Sequence, residues 1–249
     1  MFKTARIATT AAALALASSA QAADITALLK DADRYRTGAD NLRVETQVTV
    51  LNKDGSTDKE RLYTVFAQAQ HKSLVLMRSP MEAGQKVLML GDDFWLLMPG
   101  SARPMRITPS QKLLGDASTG DIATMSWAED YAGTLVGEEP CPAERAAKTC
   151  LHLSLAATRK GLSYQRIELW LGKARHEPVA ADLYVLSDKL AKQARFVMDK
   201  AGAQVNEMVL LDQLGNHKQT HVRYVSRQNK QVPEAWLNPM YLAKNPALE

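Results

Sequence analysis

Few residues in this sequence have the types and the spacing that covalent catalysis requires. Ser110, Ser118 and His152 are available as nucleophiles and as a base for hydrolysis, but no motif places them together. The chain also has no Gly-x-Ser-x-Gly elbow, no His-Glu-x-x-His zinc motif and no glycine-rich loop for a phosphate. We therefore predict that the protein is not an enzyme and that it needs no cofactor.

His217 and His221 are the pair of residues that comes nearest to a metal site. In a strand, residues four apart have Cα atoms about 13 Å from each other, which is too far for both imidazoles to reach one ion. The segment 217–225 has a strand pattern. We therefore interpret both histidines as surface residues and predict no metal site.

The sequence contains two cysteines, Cys141 and Cys150. In an oxidising compartment such a pair is expected to form a disulfide, which here would close a short loop. A metal or redox site is the alternative interpretation, but no set of further Cys and His ligands accompanies the two thiols. We predict the disulfide.

The N-terminus has the features of a secretory signal peptide. Two basic residues precede the apolar run 7–17, and Ala20 and Ala22 fit the small-x-small pattern that signal peptidase cuts. The run is shorter than the roughly 20 strongly apolar residues that cross a bilayer, and no Cys lies near it as an acylation point. We predict that residues 1–22 are removed after Ala22 and that the exported protein is soluble in the periplasm of a Gram-negative bacterium.

Composition and charge indicate one globular domain. Hydrophobic residues make up 46% of the chain, and no linker rich in Pro, Gly or Ser divides it, so residues 23–249 are predicted to form a single domain with a sizeable core. The net charge of +4 falls to +2 when the two basic residues of 1–22 are subtracted. Because the remaining basic residues are scattered, nucleic acid is not expected as a partner.

The hydrophobic pattern changes from a helical period to a strand period early in the chain. An amphipathic helix is predicted by the spacing of five apolar residues, which are Ile25, Leu28, Leu29, Ala32 and Tyr35. Strand-like runs follow at 43–51, 60–70, 73–79, 85–91, 93–98, 103–107, 133–138, 149–157, 163–171, 181–187, 192–199, 205–214 and 218–226. Their short links favour antiparallel pairing. A sheet of this size tends to curl, so we predict a broad concave face.

Three segments outside these strands have their own patterns. A short helix is predicted at 108–115, where Thr108 can cap and Pro109 occupies the first helical position. The segment 120–135 fits neither period and is interpreted as a loop with a helical turn. The C-terminal segment 232–245 is expected to pack against the sheet as a short turn and tail.

The segment DDFWLLMPG, residues 92–100, has five large apolar side chains in a row, so both faces of the predicted strand are apolar. Six of the ten methionines also fall within 77–125. Methionine suits surfaces that accept variable apolar shapes, which favours a cleft for acyl chains, and a core padded with methionine is the alternative. In a cleft, one face of the strand lines the concave side while a helix or the C-terminal tail covers the other. The candidates for the lining are Met89, Phe94, Trp95, Leu97, Met98 and Trp127.

Residues 78–131, RSPMEAGQKVLMLGDDFWLLMPGSARPMRITPSQKLLGDASTGDIATMSWAEDY, resemble the central signature of the LolA-like family of outer-membrane lipoprotein-sorting proteins. A basic-Ser-Pro start, an apolar strand ending in Trp-x-x-x-Pro, an Arg-Ile-x-x-Ser-Gln turn and a Gly-Asp segment follow in the family's order. The similarity is strongest to the branch associated with RND-type exporters. The resemblance implies a mainly β (α+β) fold, in which a curved antiparallel sheet forms a half-open β-barrel with a few covering helices around an apolar cavity for lipid chains.

Three polar residues flank the turn that resembles the family's pattern: Arg103, Arg106 and Gln111. We interpret them as candidate contacts for a lipid headgroup or a partner. The alternative is that they cap the turn and have only a structural role.

The sequence and the resemblance together predict a periplasmic carrier or chaperone. It would bind the acyl chains of lipids or lipoproteins in an apolar cavity and hand them on between membranes. The resemblance implies an inner-membrane RND-type exporter or an outer-membrane acceptor as a partner. The alternative prediction is a periplasmic sensor or adaptor whose curved sheet binds a membrane protein.

Overall fold

The structure, a computed structural model, describes residues 25–37, 41–107, 121, 126–142, 148–159, 161–215 and 219–244. Its first helix, α1, covers residues 25–34, where the apolar spacing predicts a helix. Helix α2 is the single turn Trp127–Asp130, and a 3-10 helix (Glu234–Leu237) and α3 (Pro239–Leu242) lie near the C-terminus. None of the described helices is long and apolar enough to cross a membrane.

Thirteen antiparallel strands form one continuous sheet in the described part of the chain. They are β1 (Asn41–Leu51), β2 (Thr57–Gln68), β3 (Lys72–Met77), β4 (Lys86–Leu90), β5 (Asp93–Leu97), β6 (Met105–Ile107), β7 (Tyr131–Pro140), β8 (Thr149–Ala157), β9 (Arg166–Gly172), β10 (Pro178–Tyr184), β11 (Leu190–Met198), β12 (Val205–Asp212) and β13 (Gln219–Asn229). Their order is β6-β5-β4-β3-β2-β1-β13-β12-β11-β10-β9-β8-β7, so β6 and β7 are the edges. The sheet therefore consists of two meanders, β1 to β6 and β7 to β13, joined where β1 pairs with β13.

Contacts between distant strands show that the sheet is strongly curled. Asp92 lies in the turn between β4 and β5, and Arg159 follows β8, which is nine or ten strands away in the order. In a flat sheet with a strand spacing of about 4.8 Å, these residues would be more than roughly 40 Å apart. Instead, the guanidinium of Arg159 forms an ion pair with the carboxylate of Asp92. The predicted fold class is confirmed: the protein is mainly β, and its curved antiparallel sheet stays open because β6 and β7 do not pair.

Alternation along the strands separates a concave face from an outer face. In β1, Val44 and Val48 are buried in the same apolar cluster as Ile25 and Leu29 of α1, whereas Glu45 and Gln47 on the other face are half-buried. This cluster also contains Trp127 and receives side chains from strands of both meanders. Because the sheet curls toward the side on which its two ends meet, we identify the cluster with the concave face.

The C-terminal segment covers part of the outer face. Its apolar residues share a second buried cluster with residues of β2 to β5, which is formed by Phe66, Leu74, Leu76, Leu88, Leu97, Val232, Leu237 and Leu242. Phe66 and Trp236 meet edge to face with 5.7 Å between ring centroids, and buried Lys86 donates from Nζ to the carbonyl oxygen of Leu242 at 3.1 Å. The segment therefore explains why β5 is apolar on both faces, as the sequence predicts for a tail packed against the sheet.

The segment 120–135 contains the predicted helical turn. Ser126 caps α2 by accepting a hydrogen bond from the backbone N–H of Glu129. Strand β7 then begins at Tyr131, two residues before the predicted strand. The helix predicted at 108–115 and the signal peptide predicted at 1–22 lie outside the described residues.

The predicted disulfide joins Cys141 and Cys150, whose Cα atoms are 5.0 Å apart. Cys141 follows β7 and Cys150 is the second residue of β8, so the bond closes the connection between these strands. Cys150 is fully buried, in a small cluster with Val179 and Ala180. The disulfide therefore fixes the hairpin at one edge of the sheet.

Replacing both cysteines, Cys141→Ser with Cys150→Ser, is expected to lower the free energy of unfolding by about 2–3 kcal/mol, the loop-closure value for a loop of this length. Urea denaturation followed by circular dichroism measures the change. Dithiothreitol should lower the urea midpoint of the wild type to that of the double variant, and it should leave the midpoint of the double variant unchanged. Equal midpoints for the untreated wild type and the double variant would contradict this prediction.

Candidate functional site

The concave face, together with α1 and α2, is the candidate functional site. Three of the predicted lining residues, Met89, Phe94 and Trp127, are buried in its apolar cluster. Trp127 packs edge to face on Phe196 of β11, with 5.6 Å between ring centroids. The guanidinium of Arg36 lies 4.0 Å from the centre of the Trp127 ring. The face is therefore apolar but has a buried cation at its centre.

Trp95 and Leu97, which the sequence analysis also places in the lining, lie on the outer face. Successive residues of a strand alternate between its two faces. Because Phe94 points to the concave side, Trp95 and Leu97, which are one and three residues further along β5, point to the outer face. There they pack in the cluster beneath the C-terminal segment. The expectation for these two residues is therefore corrected, because a strand that is apolar on both faces gives no signal of which face points inward.

The remaining candidate residues lie at the end of β5 and beyond it. Met98 directly follows β5 and is partly exposed, and Arg103 is exposed in the loop that follows. Arg106 of β6 forms an ion pair with Asp93. Gln111 lies outside the described residues. The described members of this group therefore lie at the border of the sheet and not within the concave face.

Of the three residues considered for hydrolysis, the structure describes only His152. His152 lies on β8, where its ring stacks on Trp170 with 4.6 Å between centroids and its Nε2 is 3.0 Å from Glu168. Ser110 and Ser118 lie outside the described residues. His152 is thus held by structural contacts of the outer face.

Of the two histidines considered for a metal, the structure describes only His221. His221 forms an ion pair with Glu207 of the neighbouring strand β12, and His217 lies outside the described residues. Within the described ranges, no group of three or more His, Cys, Asp and Glu residues could hold a metal ion.

Helix α1 covers part of the concave face in this structure. Helix α1 lies on it with Ile25, Leu29 and Ala32 buried. A small void of about 20 Å³ lies near Arg36 and Tyr224, which is room for about one water molecule. A guest that takes the place of Ile25, Leu29 and Ala32 therefore needs α1 to move away.

A buried carboxylate joins α1 to α2. Asp33 accepts hydrogen bonds from the backbone N–H groups of Trp127 and Ala128, at 3.1 and 3.0 Å, and from the hydroxyl of Ser126 at 3.0 Å. Its Oδ1 also lies 3.5 Å from the guanidinium of Arg36. Burial raises the pKa of Asp33, and Arg36 and the hydrogen bonds oppose that shift. Because the first N–H groups of a helix have no partner within it, Asp33 satisfies the start of α2 from another helix.

A second group of charges closes the sheet where its ends meet. Arg159 donates to Oδ1 of Asp130 from Nε at 3.0 Å and from Nη2 at 2.7 Å, and it also pairs with Asp92. His71, in the turn between β2 and β3, lies 3.5 Å from Asp130 and 3.4 Å from Glu129. The side chain of Asp130 is only 3% exposed. We call these five residues the seam, since they connect the first meander to α2 and to the end of β8.

A groove of about 280 Å³ with both polar and apolar lining lies beside the seam. Its wall includes Lys30 and Arg34 of α1, Gln70 and His71 of the β2–β3 turn, and Glu129 of α2. Gln70 and His71 have positive φ angles of 63° and 55°, a conformation that is uncommon for residues other than Gly, Asn and Asp. The turn therefore places two polar side chains at the boundary between α1 and the sheet.

Asp130 titrates in the neutral pH range. Burial, followed by the carboxylates of Glu129 and Asp33, raises its pKa from 3.8 to about 7. Between these values the folded state holds a proton that the unfolded state has lost, so the stability contributed by this group decreases as the pH rises toward 7. Burial and the charge of Arg159 lower the pKa of His71, which has the opposite effect because protonation of His71 then favours the unfolded state.

Asp130→Asn is expected to remove the part of this pH dependence that Asp130 contributes. The free energy of unfolding of the wild type, minus that of the variant, should fall by up to about 1.4 kcal/mol per unit between about pH 5 and pH 7. Urea denaturation across this range measures the difference, in which the effect of His71 largely cancels. Asp188→Asn, an exposed carboxylate paired with Arg166, is the control and should leave the profile unchanged. A difference that stays constant with pH would contradict the prediction.

Asp33, Asp130 and Arg159 were not among the residues predicted from the sequence. Asp33 had a detectable signal, because it follows Leu29 by four residues and so shares the buried side of α1. Arg159 and Asp130 are 29 residues apart, and no local pattern joins them. Only the curl of the sheet brings the seam together.

Comparison with known proteins agrees with this architecture. Residues 69–244 match a protein-family model described as an uncharacterized protein. The chain is also similar to the crystal structure of a LolA superfamily protein from Nitrosomonas europaea, with 26% identity, a TM-score of 0.75 and coverage of 86% of this chain and 97% of that chain. The chain belongs to the family whose model matches residues 69–244, and it shares the fold of the LolA superfamily protein. The curled open sheet with covering helices is thus the LolA-like fold.

Two further solved structures share the LolA-like fold. A DUF1329 family protein from Desulfovibrio piger is 20% identical, with a TM-score of 0.70 and coverage of 89% of this chain and 99% of that chain. A domain described as an outer membrane lipoprotein-sorting protein, from Vibrio parahaemolyticus, is 17% identical, with a TM-score of 0.69 and coverage of 88% and 97%. A comparison with proteins of curated function gave no match.

Proposed function

We propose that the protein is a periplasmic carrier that binds the acyl chains of lipids or lipoproteins on its concave face and hands them on between membranes. One observation carries the proposal: strands of both meanders supply an apolar face, and among the described residues the short helix α1 packs over it. The hydrogen bonds that Asp33 accepts from the start of α2 join α1 to α2, and we call them the polar joint. Because α1 is held in this way and belongs to no strand, it can separate from the sheet without breaking one. The lipoprotein-sorting description of the Vibrio structure supports the same class of cargo.

The free-energy balance permits a guest to replace α1. Ile25, Leu29 and Ala32 are the buried apolar residues of α1, and burying side chains of these kinds contributes about 5 kcal/mol in total. An acyl chain of about 16 carbons gains about 0.8 kcal/mol for each buried methylene, or roughly 12 kcal/mol when fully buried. The guest therefore offsets the lost packing of α1, and the surplus is comparable with the cost of opening the polar joint.

Two buried polar atoms favour a guest that contains an ester. Nε1 of Trp127 and Oγ of Ser73 are buried and have no hydrogen-bond partner among the described residues. Ser73 lies on the same face of β3 as Val75, which belongs to the concave cluster. A carbonyl oxygen of an acyl ester can accept a hydrogen bond from the indole N–H, and a buried unpaired donor costs about 1–3 kcal/mol. Binding of an ester would remove this cost.

Transfer between membranes requires a periplasmic location and partners at both ends. The signal peptide predicted at 1–22, with cleavage after Ala22, supports the location. The resemblance to the exporter-associated branch supports an inner-membrane RND-type exporter as a donor and an outer-membrane protein as an acceptor. In this proposal Met89, Phe94 and Trp127 are the predicted residues that contact the acyl chain.

The proposal is tested with protein isolated from the periplasm of cells that express the full chain. The intact mass should correspond to a chain that begins at Ala23, and an organic extract should contain acyl lipid in an amount close to that of the protein. A fluorescent fatty acid should bind and should be displaced by an unlabelled one. Absence of both bound lipid and displacement would overturn the carrier function.

A pair of matched variants locates the binding face. Leu96 is half-buried on the concave side of β5, and Leu186 is exposed in the turn between β10 and β11. Leu96→Gln places an amide in the lining and should weaken fatty-acid binding about fivefold or more, whereas Leu186→Gln should leave it unchanged. Equal affinities for the two variants would exclude the concave face as the site.

A further inference from the structure

Three described segments lie at one end of the sheet, and we call them the rim: the β3–β4 turn 78–85, the loop and strand start 98–105, and the C-terminal residues 238–244. The first two are in contact, because a Cβ on Gly84 would lie 3.6 Å from Cγ of Pro99. The first two segments therefore form one continuous border of the protein.

The C-terminal part of the rim reaches this end through a buried lysine. Lys86, which follows the β3–β4 turn, donates to the carbonyl oxygen of Leu242 at 3.1 Å. Lys86 is also the register partner of Leu97, the last residue of β5. Leu242 and Leu97 share the outer-face cluster. Helix α3 is thus fixed beside the point where the other two segments begin.

The rim carries all the exposed methionines of the described residues. Their exposed fractions are 97% for Met81, 37% for Met98, 56% for Met105 and 70% for Met240. The methionines of 77–125 therefore lie in two places, because Met89 is buried on the concave face whereas Met81, Met98 and Met105 are exposed on the rim. Clustered exposed apolar side chains mark interaction surfaces, and methionine adapts to surfaces without fixed shape.

The net charge of the rim is positive. Its described residues include a single carboxylate, Glu82, which forms a salt bridge with Arg61 at 3.0 Å. Arg103 and Lys244 add positive charge, and no salt bridge to either is found among the described residues. Apolar side chains beside unopposed cations are the combination that binds the surface of an anionic membrane.

We infer that the rim docks on the surface of an anionic phospholipid bilayer, with its exposed methionines in the interface and with Arg103 and Lys244 against lipid phosphates. A bilayer matches this surface because it offers dense negative charge and accepts flexible apolar side chains without shape complementarity. The inference goes beyond the proposed carrier function, since docking requires no cargo on the concave face. It gives the Arg103 and Met98 of the sequence analysis a role outside the cavity.

Flotation with vesicles tests the docking surface, using protein isolated from the periplasm. The wild type should bind vesicles of phosphatidylethanolamine and phosphatidylglycerol at about 3:1. Binding should weaken about fivefold or more on vesicles of phosphatidylcholine alone, and also when the salt concentration rises from about 50 to about 500 mM. The triple variant Met81→Gln, Met105→Gln, Met240→Gln should bind the anionic vesicles about tenfold more weakly.

A second triple variant controls for the loss of exposed apolar surface in general. It combines Leu186→Gln, Leu214→Gln and Val225→Gln, whose side chains lie outside the rim with exposed fractions of 85%, 56% and 60%, and it should bind vesicles like the wild type. Arg103→Ser with Lys244→Ser should weaken binding about fivefold.

The carrier function and the docking surface can fail separately. Both triple variants should bind the fluorescent fatty acid like the wild type, and Leu96→Gln should still bind anionic vesicles. No vesicle binding by the wild type would overturn the inference and leave a protein as the occupant of the rim. Equal losses in the two triple variants would also overturn it.

Discussion

Replacing Arg159 by alanine is expected to lower the free energy of unfolding by about 3 kcal/mol at pH 8, because it leaves a buried carboxylate without its partner. Arg159 makes two hydrogen bonds to Asp130 and pairs with Asp92 on the opposite end of the sheet. The loss should be smaller at pH 5, where Asp130, whose pKa is about 7, is protonated and needs no cation. Urea denaturation at the two pH values measures both effects.

Arg166→Ala is the matched control for the seam. Arg166 also pairs with two carboxylates, those of Glu168 and Asp188, but it lies on the outer side, where Asp188 is 72% exposed. Its removal should cost less than about 1 kcal/mol. Hydrogen exchange should show faster opening of the β4–β5 turn only in Arg159→Ala. If both variants lost the same stability, the seam would not be what holds the sheet ends together.

Replacing Asp33 by alanine is expected to cost about 3 kcal/mol and to loosen the cover of the concave face. The change removes the acceptor for two buried backbone N–H groups of α2, those of Trp127 and Ala128, and each unpaired group costs about 1–3 kcal/mol. Because Asp33 links α1 to α2, the variant should also take up a fluorescent fatty acid faster than the wild type. Denaturation and stopped-flow fluorescence measure the two effects on the same preparation.

Two further variants test whether the effect of Asp33→Ala comes from its hydrogen bonds to α2 or only from the loss of a negative charge. Asp31→Ala removes a carboxylate of α1 that pairs with Arg34 and His176 near the surface, and it should change stability by less than about 1 kcal/mol. Asp33→Asn keeps an acceptor oxygen, so its loss should lie between those of the two alanine variants. An uptake rate in Asp33→Ala no faster than that in Asp31→Ala would show that α1 does not control access.

The strand framework could be predicted from the sequence because its signals are local. Val44 and Val48 alternate with polar residues, and the structure buries both in the concave cluster. Short links between runs indicate antiparallel pairing, and all thirteen strands pair in this way with their neighbours. Period and link length therefore specified the sheet without any knowledge of its partners.

The direction in which the strands face could not be predicted at β5. Phe94 and Trp95 are equally apolar, so the pattern does not distinguish the concave side from the side beneath Trp236 and Leu237. The choice depends on where the C-terminal segment lies, which is a contact between distant parts of the chain. The seam was inaccessible for the same reason, since Arg159 and Asp92 meet only after the sheet curls.

The junction of the two meanders determines the order in which the sheet can assemble. Neighbours within a meander are linked by short turns, whereas β1 pairs with β13 in the middle of the sheet, with Leu42 opposite Asn229. Closing a loop of this length is slow compared with hairpin formation. A nascent chain therefore completes hairpins early and keeps β1 as an open edge, to which other chains can add, until β13 has arrived. The slowest and most aggregation-prone interval of folding ends only with the last strand to be synthesised.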